Sequence, residues 1–383
     1  MMGRLLPAAT AILLLAGLMQ ALGQTAASPS KTQPSAAGSV ETLLRGMTLD
    51  RKIGQLLLVQ FTGAVYSRDI ATMVVTHHVG GVIFYARNGN IRDADQLRGI
   101  VAQLQRASAV PLFTAIDQEG GYVDRLAQLN GRRPSAAAIA EADDPAIADA
   151  VGVQDSGDLS AFGFNLNLAP VVDIGRAANP QLVDRTFGDD PQAVTRLAGA
   201  YLRGLQRSGT VFGVLKHFPG LGGVRIDPHQ DLAVVTQTRE ELESVDWPPY
   251  RKLIASRDAH AVMVTHEVVR ALDPSLPATL SQRLITGVLR GEMHFGGVVI
   301  TDSLSMEGIT ASYPQPQAAV MAIRAGADLM IGAAHPRQVA EIVASLKRAI
   351  AAGTVKETQI DAAARRVLTM KAALGLLRPS ADK

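Results

Sequence analysis

The chain has 383 residues, a formal net charge of +2, 4% aromatic residues and no cysteine. The missing cysteine excludes disulfides, thiolate metal sites, a cysteine nucleophile and lipid attachment at a lipobox. The near-balanced charge gives no footprint for nucleic acid: basic pairs such as Arg132 with Arg133 and Arg365 with Arg366 stand far apart without aromatic interleaving, as solvated faces do.

Residues 1–23 carry Arg4, an apolar run from Ala8 to Met19 and the ending Ala21-Leu22-Gly23, which is the pattern of a secretory signal peptide. That run is short for a membrane span, and no later stretch reaches the roughly 18 uninterrupted apolar residues a span needs. A periplasmic or secreted protein with no membrane span after signal cleavage is expected. Residues 24–39 are Ser, Ala, Thr, Gln and Pro with few large apolar side chains, so they read as a flexible leader, and the folded domain is expected over residues 40–383.

From Val40 onward, short apolar runs alternate with longer helical stretches, the form that repeated βα units take. The runs predict eight strands: Gln55 to Phe61, Val79 to Tyr85, Pro111 to Ile116, Phe164 to Val172, Val211 to Leu215, Ala261 to Thr265, Gly297 to Thr301 and Asp328 to Gly332. Helices are expected over Asp93 to Arg106, Pro191 to Gly209 and Gln317 to Ala325, and a last one over Gln359 to Leu376, packed across the outside. Eight strands in roughly 280 residues predict a (β/α)8 TIM barrel forming one catalytic domain, with a doubly wound open sheet as the rival. The barrel is preferred because Asp117, Asp173, Lys216 with His217, His266 and Asp302 fall at the carboxyl ends of the runs, which a barrel brings to one face.

Four stretches carry chemistry. PLFTAIDQEGGYVDRL places Asp117 at a strand end, then Glu119 and two glycines, then Arg125; two acids at a rim suit a hydroxylated ligand. VDRTFGDD puts Arg185 in a loop before a helix, where it could clamp a ligand or simply be solvated. VLKHFPGLGGVRIDPH delivers Lys216 and His217 from a strand into a glycine-rich loop that bears Asp227 and His229, and a carboxylate one residue from an imidazole can fix its tautomer and stabilise its protonated form. A metal site from His217, Asp227 and His229 is the other reading, against which stand the absent HExxH and the absent cysteines. VVITDSLSMEGI sets Asp302 after a β-branched run, a position costly for a buried carboxylate and useful in a cleft, which makes it the nucleophile candidate; Glu307 reads as part of a following helical turn.

IDQEGGYVDRL, NLAPVVDI, DRTFGDD, KHFPGLGGVRIDPH and VVITDSLSMEGI, in that order, resemble glycoside hydrolase family 3, in particular its NagZ-type β-N-acetylglucosaminidases (β-N-acetylhexosaminidases). The likeness runs from about Leu49 to Leu376. It implies a (β/α)8 barrel with Asp302 as nucleophile, His229 as acid/base and Asp227 as its orienting partner. It also implies that Asp117, Arg125, Arg185, Lys216 and His217 hold the terminal sugar. No metal and no cofactor are expected. A monomer acting on β-N-acetylglucosaminyl oligosaccharides or muropeptides is the expectation. Where the family usually reads KHFPGHG, DSH and EGGR, this chain has Leu221, Pro228 and Tyr122. Those substitutions keep open a non-catalytic sugar-binding barrel, and a histidine acid/base keeps open a β-N-acetylglucosaminide phosphorylase.

Overall fold

The computed structural model describes residues 36–176, 179, 182–224 and 233–377. Its centre is a closed parallel barrel of β1 (Leu57–Gln60), β2 (Gly81–Phe84), β3 (Phe113–Ile116), β4 (Leu166–Asn167), β5 (Phe212–Phe218), β6 (Ala261–Val264), β7 (Val298–Ser303) and β8 (Leu329–Ile331). Each strand pairs with its neighbours in sequence, and β8 returns to β1 through Leu57 with Met330 and Leu58 with Ile331. That closure rules out the open doubly wound sheet.

Almost every barrel residue is buried, because one face meets the barrel interior and the other the surrounding helices. Helix Ala94–Ala107 shows how the sequence dictates the outer layer. Asp93 caps it by accepting from Gln96 N at 2.9 Å, and Leu97, Ile100, Val101 and Leu104 recur at helical spacing on the buried face. Helix Pro191–Gln206 starts the same way, with Asp190 as cap and proline in the first turn.

Three boundaries depart from the sequence expectation. β4 is regular over only two residues of the expected Phe164 to Val172; beyond them the pairing with β3 and β5 is irregular, through Leu168 N to the Ile116 carbonyl and an isolated bridge from Val171 to Lys216, and Pro170 has no N–H to donate. β5 is longer than expected and runs through Lys216 and His217 to Phe218, so those ionisable residues stand inside the strand instead of after it. The first described helix spans Ala36–Arg45, taking in the end of the stretch read as leader.

The last helix, Glu357–Ala373, does not simply lie across the outside. Near its end Lys371 is fully buried, with Nζ donating to Gln55 Oε1 at 2.7 Å and lying 5.2 Å from the centre of the Phe113 ring. Gln55 precedes β1 and Phe113 opens β3, so the helix end closes the amino end of the barrel, opposite the face where strand ends carry polar groups. Burial lowers the Lys371 pKa to about 7.

A second buried polar group lies behind the barrel wall. Tyr201 donates to Asp155 Oδ2 at 2.8 Å, and Asn167 of β4 reaches the same phenol oxygen at 3.3 Å. Burial pushes Asp155 up to about 7, against the hydrogen bond from Tyr201 and the charge of Arg133. A carboxyl raised in the folded state contributes full stability below its unfolded pKa and loses it as pH climbs to the folded value. Wild type should therefore lose on the order of a few kcal/mol between pH 4 and pH 7 that Asp155→Asn does not lose. Denaturant titrations of both proteins across that range check this, and parallel pH profiles would contradict it.

Candidate functional site

At the carboxyl end of the barrel, the strand termini and their loops enclose a cavity of about 890 Å³. Asp117, Arg125, Arg185, Lys216, His217 and Asp302 all line it, although they are spread over more than 180 residues of chain. Lys216 and His217 come from β5, Asp302 from β7 and the others from loops beyond strands, which is how a barrel assembles a site from distant sequence.

Lys216 forms the floor. Only 2% of its side chain is exposed, and Nζ lies 2.7 Å from Asp117 Oδ1 and 2.6 Å from Glu119 Oε1. Glu119 also accepts two bonds from Arg185, from Nε at 2.7 Å and from Nη2 at 2.9 Å. Burial alone would raise the Glu119 carboxyl, but the adjacent Lys216 and Arg185 charges outweigh it and hold the group well below the usual carboxylate range. Lys216 answers in kind: burial lowers it, the Asp117 and Glu119 carboxylates raise it further, and it stays charged. Glu119 is thus a buried anchor between two cations and not a second acid at the rim. It joins strand β3's loop to β5 and to the Arg185 loop, in place of the rim position that the sequence suggests.

Asp173 is the other group the sequence pattern underused. Its Oδ2 accepts from His217 Nδ1 at 2.7 Å, and its Oδ1 accepts from Leu221 N at 2.8 Å. A carboxylate on Nδ1 leaves Nε2 as the atom His217 offers to a ligand. The same carboxylate ties the imidazole to the start of the glycine-rich loop. In that loop Gly222 packs on the Ile174 carbonyl, where any Cβ would collide. The Lys216–His217 peptide bond is cis.

Asp302 is the penultimate residue of β7. Its Oδ1 accepts from Ser303 N at 2.7 Å and its Oδ2 from Thr265 Oγ1 at 3.4 Å, which aims the carboxylate from the barrel wall. Tyr85 lines the cavity too, and burial followed by the Asp117 and Asp302 charges raises its phenol, keeping it a neutral donor. Arg125 has a buried Nε that finds no hydrogen-bond acceptor among the described residues, an arrangement that a bound ligand or water would relieve. Glu307 is exposed, opens the helix Glu307–Thr310 and does not line the cavity. His266 is buried, bridges Thr279 and the Ser303 carbonyl, and serves to hold β6 to β7.

Asp227 and His229 lie outside the described residues, as does Pro228. After them in the chain, Val234–Val235 pairs in parallel with Val268–Val269, just past β6. Among the described residues, no three His, Asp or Glu side chains are grouped as metal ligands.

The floor makes a stability test. Lys216→Met removes the cation that faces both Asp117 and Glu119 and leaves Arg185 alone to compensate them. A loss of about 3–5 kcal/mol is expected from denaturant unfolding, the cost of stranding a buried partner. Glu119→Gln in the same chain should recover part of it. A loss below about 1 kcal/mol would mean that water, not Lys216, neutralises the acids.

Residues 48–370 match the profile described as the glycosyl hydrolase family 3 N terminal domain. The chain is 35% identical over 296 residues to the β-hexosaminidase of Alkalilimnicola ehrlichii, covering 76% of this chain and 84% of that protein. It is 34% identical over 328 residues to β-hexosaminidase LpqI of Mycobacterium tuberculosis, covering 84% and 82%. Among solved structures, a family 3 β-N-acetylglucosaminidase from Paenibacillus sp. superposes with a TM-score of 0.82 at 36% identity, over 88% of this chain and 65% of that one, so this chain spans just under two thirds of that protein.

Proposed function

The chain belongs to glycosyl hydrolase family 3, and on that premise we propose that it is an exo-acting β-N-acetylglucosaminidase that retains anomeric configuration through a covalent glycosyl-Asp302 intermediate. It is a glycoside hydrolase of the β-hexosaminidase kind. One observation carries the finer reading: Asp302, held by Ser303 N, shares a single cavity with Asp117, Lys216, Arg125 and His217, a set of ionised and hydrogen-bonding groups suited to hydroxyls.

In the mechanism, Asp117 accepts from sugar hydroxyls while Lys216 holds it in place, and Arg125 and His217 Nε2 supply further contacts. Asp302 attacks the anomeric carbon, and the bond to the leaving oxygen breaks as His229 gives that oxygen a proton. His229, now neutral, takes a proton from water, which attacks the same carbon, expels Asp302 and releases the sugar with its configuration retained. Asp227 orients the imidazole. The use of histidine in place of a second carboxylate departs from the usual pair.

Terminal N-acetylglucosamine on muropeptides or chitin-type fragments is the proposed substrate, and the signal-like opening of the sequence supports a periplasmic or secreted location. No helix among the described residues is long and apolar enough to cross a membrane. The test is release of a phenol from an aryl β-N-acetylglucosaminide by the folded protein between about pH 5 and pH 8, a window around the unperturbed histidine pKa. Trapping with a fluorinated sugar, followed by mass spectrometry of the Asp302 peptide, tests the intermediate. Repeating the assay in phosphate buffer reads the acceptor: sugar 1-phosphate in excess of free sugar would replace water with phosphate. Absence of turnover in a folded protein would overturn the enzyme reading.

A further inference from the structure

The geometry points to Tyr122 and Val183 as a platform at the mouth of the cavity for the apolar face of the leaving-group sugar, the pyranose ring next to the terminal one. This rests on the glycosidase reading above and extends it outward from the terminal sugar.

Both side chains are unusually exposed for their size, Tyr122 at 85% and Val183 at 70%, and both line the cavity. A single exposed apolar side chain needs no explanation, but two on adjoining segments of one cavity rim mark a binding surface. The segments adjoin because Tyr122 N donates to Asp184 Oδ2 at 2.9 Å, which ties the residue to the one that follows Val183.

The support is stiff. Gly121, at φ 53°, is pressed against Ser135 and Asp184, and its N–H donates to the Arg133 carbonyl at 3.1 Å. Tyr122 is therefore presented from a fixed backbone, with only two side-chain torsions to settle when a ligand arrives.

Depth decides which ring it serves. The hydroxyl-binding floor is Lys216, almost fully buried, whereas the Tyr122 side chain stands in solvent. A sugar seated on the floor lies below that rim, so the next ring outward is the one Tyr122 meets. The axial C–H bonds of a β-linked pyranose make a face that is apolar and packs on an aromatic ring. An arginine at this position would offer charge to the same ring. Tyrosine offers area, and it favours uncharged, ring-bearing leaving groups.

The experiment compares diacetylchitobiose, whose leaving group is a sugar, with methyl β-N-acetylglucosaminide, whose leaving group has no ring. Tyr122→Ala is expected to lower kcat/KM for diacetylchitobiose roughly tenfold and to leave the methyl glycoside within about twofold, while Tyr122→Phe stays near wild type on both. Calorimetry in an Asp302→Asn background provides a readout free of turnover: Tyr122→Ala should weaken diacetylchitobiose about tenfold and N-acetylglucosamine hardly at all. If wild type hydrolyses both glycosides and Tyr122→Ala leaves their ratio unchanged, the platform is wrong and the glycosidase reading stands. If wild type hydrolyses neither but the calorimetric difference persists, the platform stands and the hydrolytic reading falls. Equal losses with both ligands would make Tyr122 a structural residue and overturn the proposal.

Discussion

Asp302→Ala is expected to reduce turnover of aryl β-N-acetylglucosaminides by roughly 10⁶-fold, for activated and unactivated phenols alike. The carboxylate is the atom pair that would bond to the anomeric carbon, so a better leaving group does not bypass its loss. Among the described residues, the other carboxylates that line the cavity are engaged. Asp117 is held by Lys216, Glu119 is buried between Lys216 and Arg185, and Asp184 accepts from Tyr122 N. Sugar binding should survive, because the floor does not depend on Asp302, and calorimetry with N-acetylglucosamine checks that the variant is folded and competent. Retention of more than about 1% of wild-type kcat on a dinitrophenyl glycoside would sink the nucleophile assignment.

His229→Ala should separate the two half-reactions. With a poor leaving group the loss is expected at about 10³-fold, the ordinary contribution of a positioned acid. With an acidic phenol the first step needs little protonation, so a burst of phenol followed by slow release of sugar is expected. Azide should then accelerate the second step and yield a β-glycosyl azide, since a small anion needs no base to attack. His229 lies outside the described residues, and its role rests on the motif it shares with the family. Equal losses for good and poor leaving groups, with no response to azide, would reassign it as a structural histidine.

The barrel was legible because period and punctuation agree along the chain: apolar runs too short for helices, separated by capped helical stretches and ending in polar residues. The same logic put Asp117, Lys216, His217 and Asp302 on one face, and Arg125 and Arg185 joined them through the resemblance. Errors arose where the deciding partner is remote. Ionisable residues locally signal the end of a strand, yet β5 runs on through Lys216 and His217 because Asp117, Glu119 and Asp173 neutralise or hydrogen-bond them from 44 to 99 residues away. Glu119 looked like a rim acid for the same reason, since nothing local announces that Lys216 and Arg185 will close over it. The run from Phe164 to Val172 also overstated β4, where Asn165, Asn167 and the proline at 170 leave only a short regular stretch before an irregular one.

The charged residues around the cavity have a consequence for how substrates arrive. Among the described residues, four cationic and four carboxylate side chains line it, and their formal charges sum to zero. Lys216, Asp117, Glu119 and Arg185 compensate one another at contact distance, and beyond a Debye length these residues leave little field to draw in or turn away a ligand. Encounter is then governed by orientation at the mouth, association should be nearly indifferent to ionic strength, and a neutral glycan meets the site on the same terms as one carrying an acidic peptide.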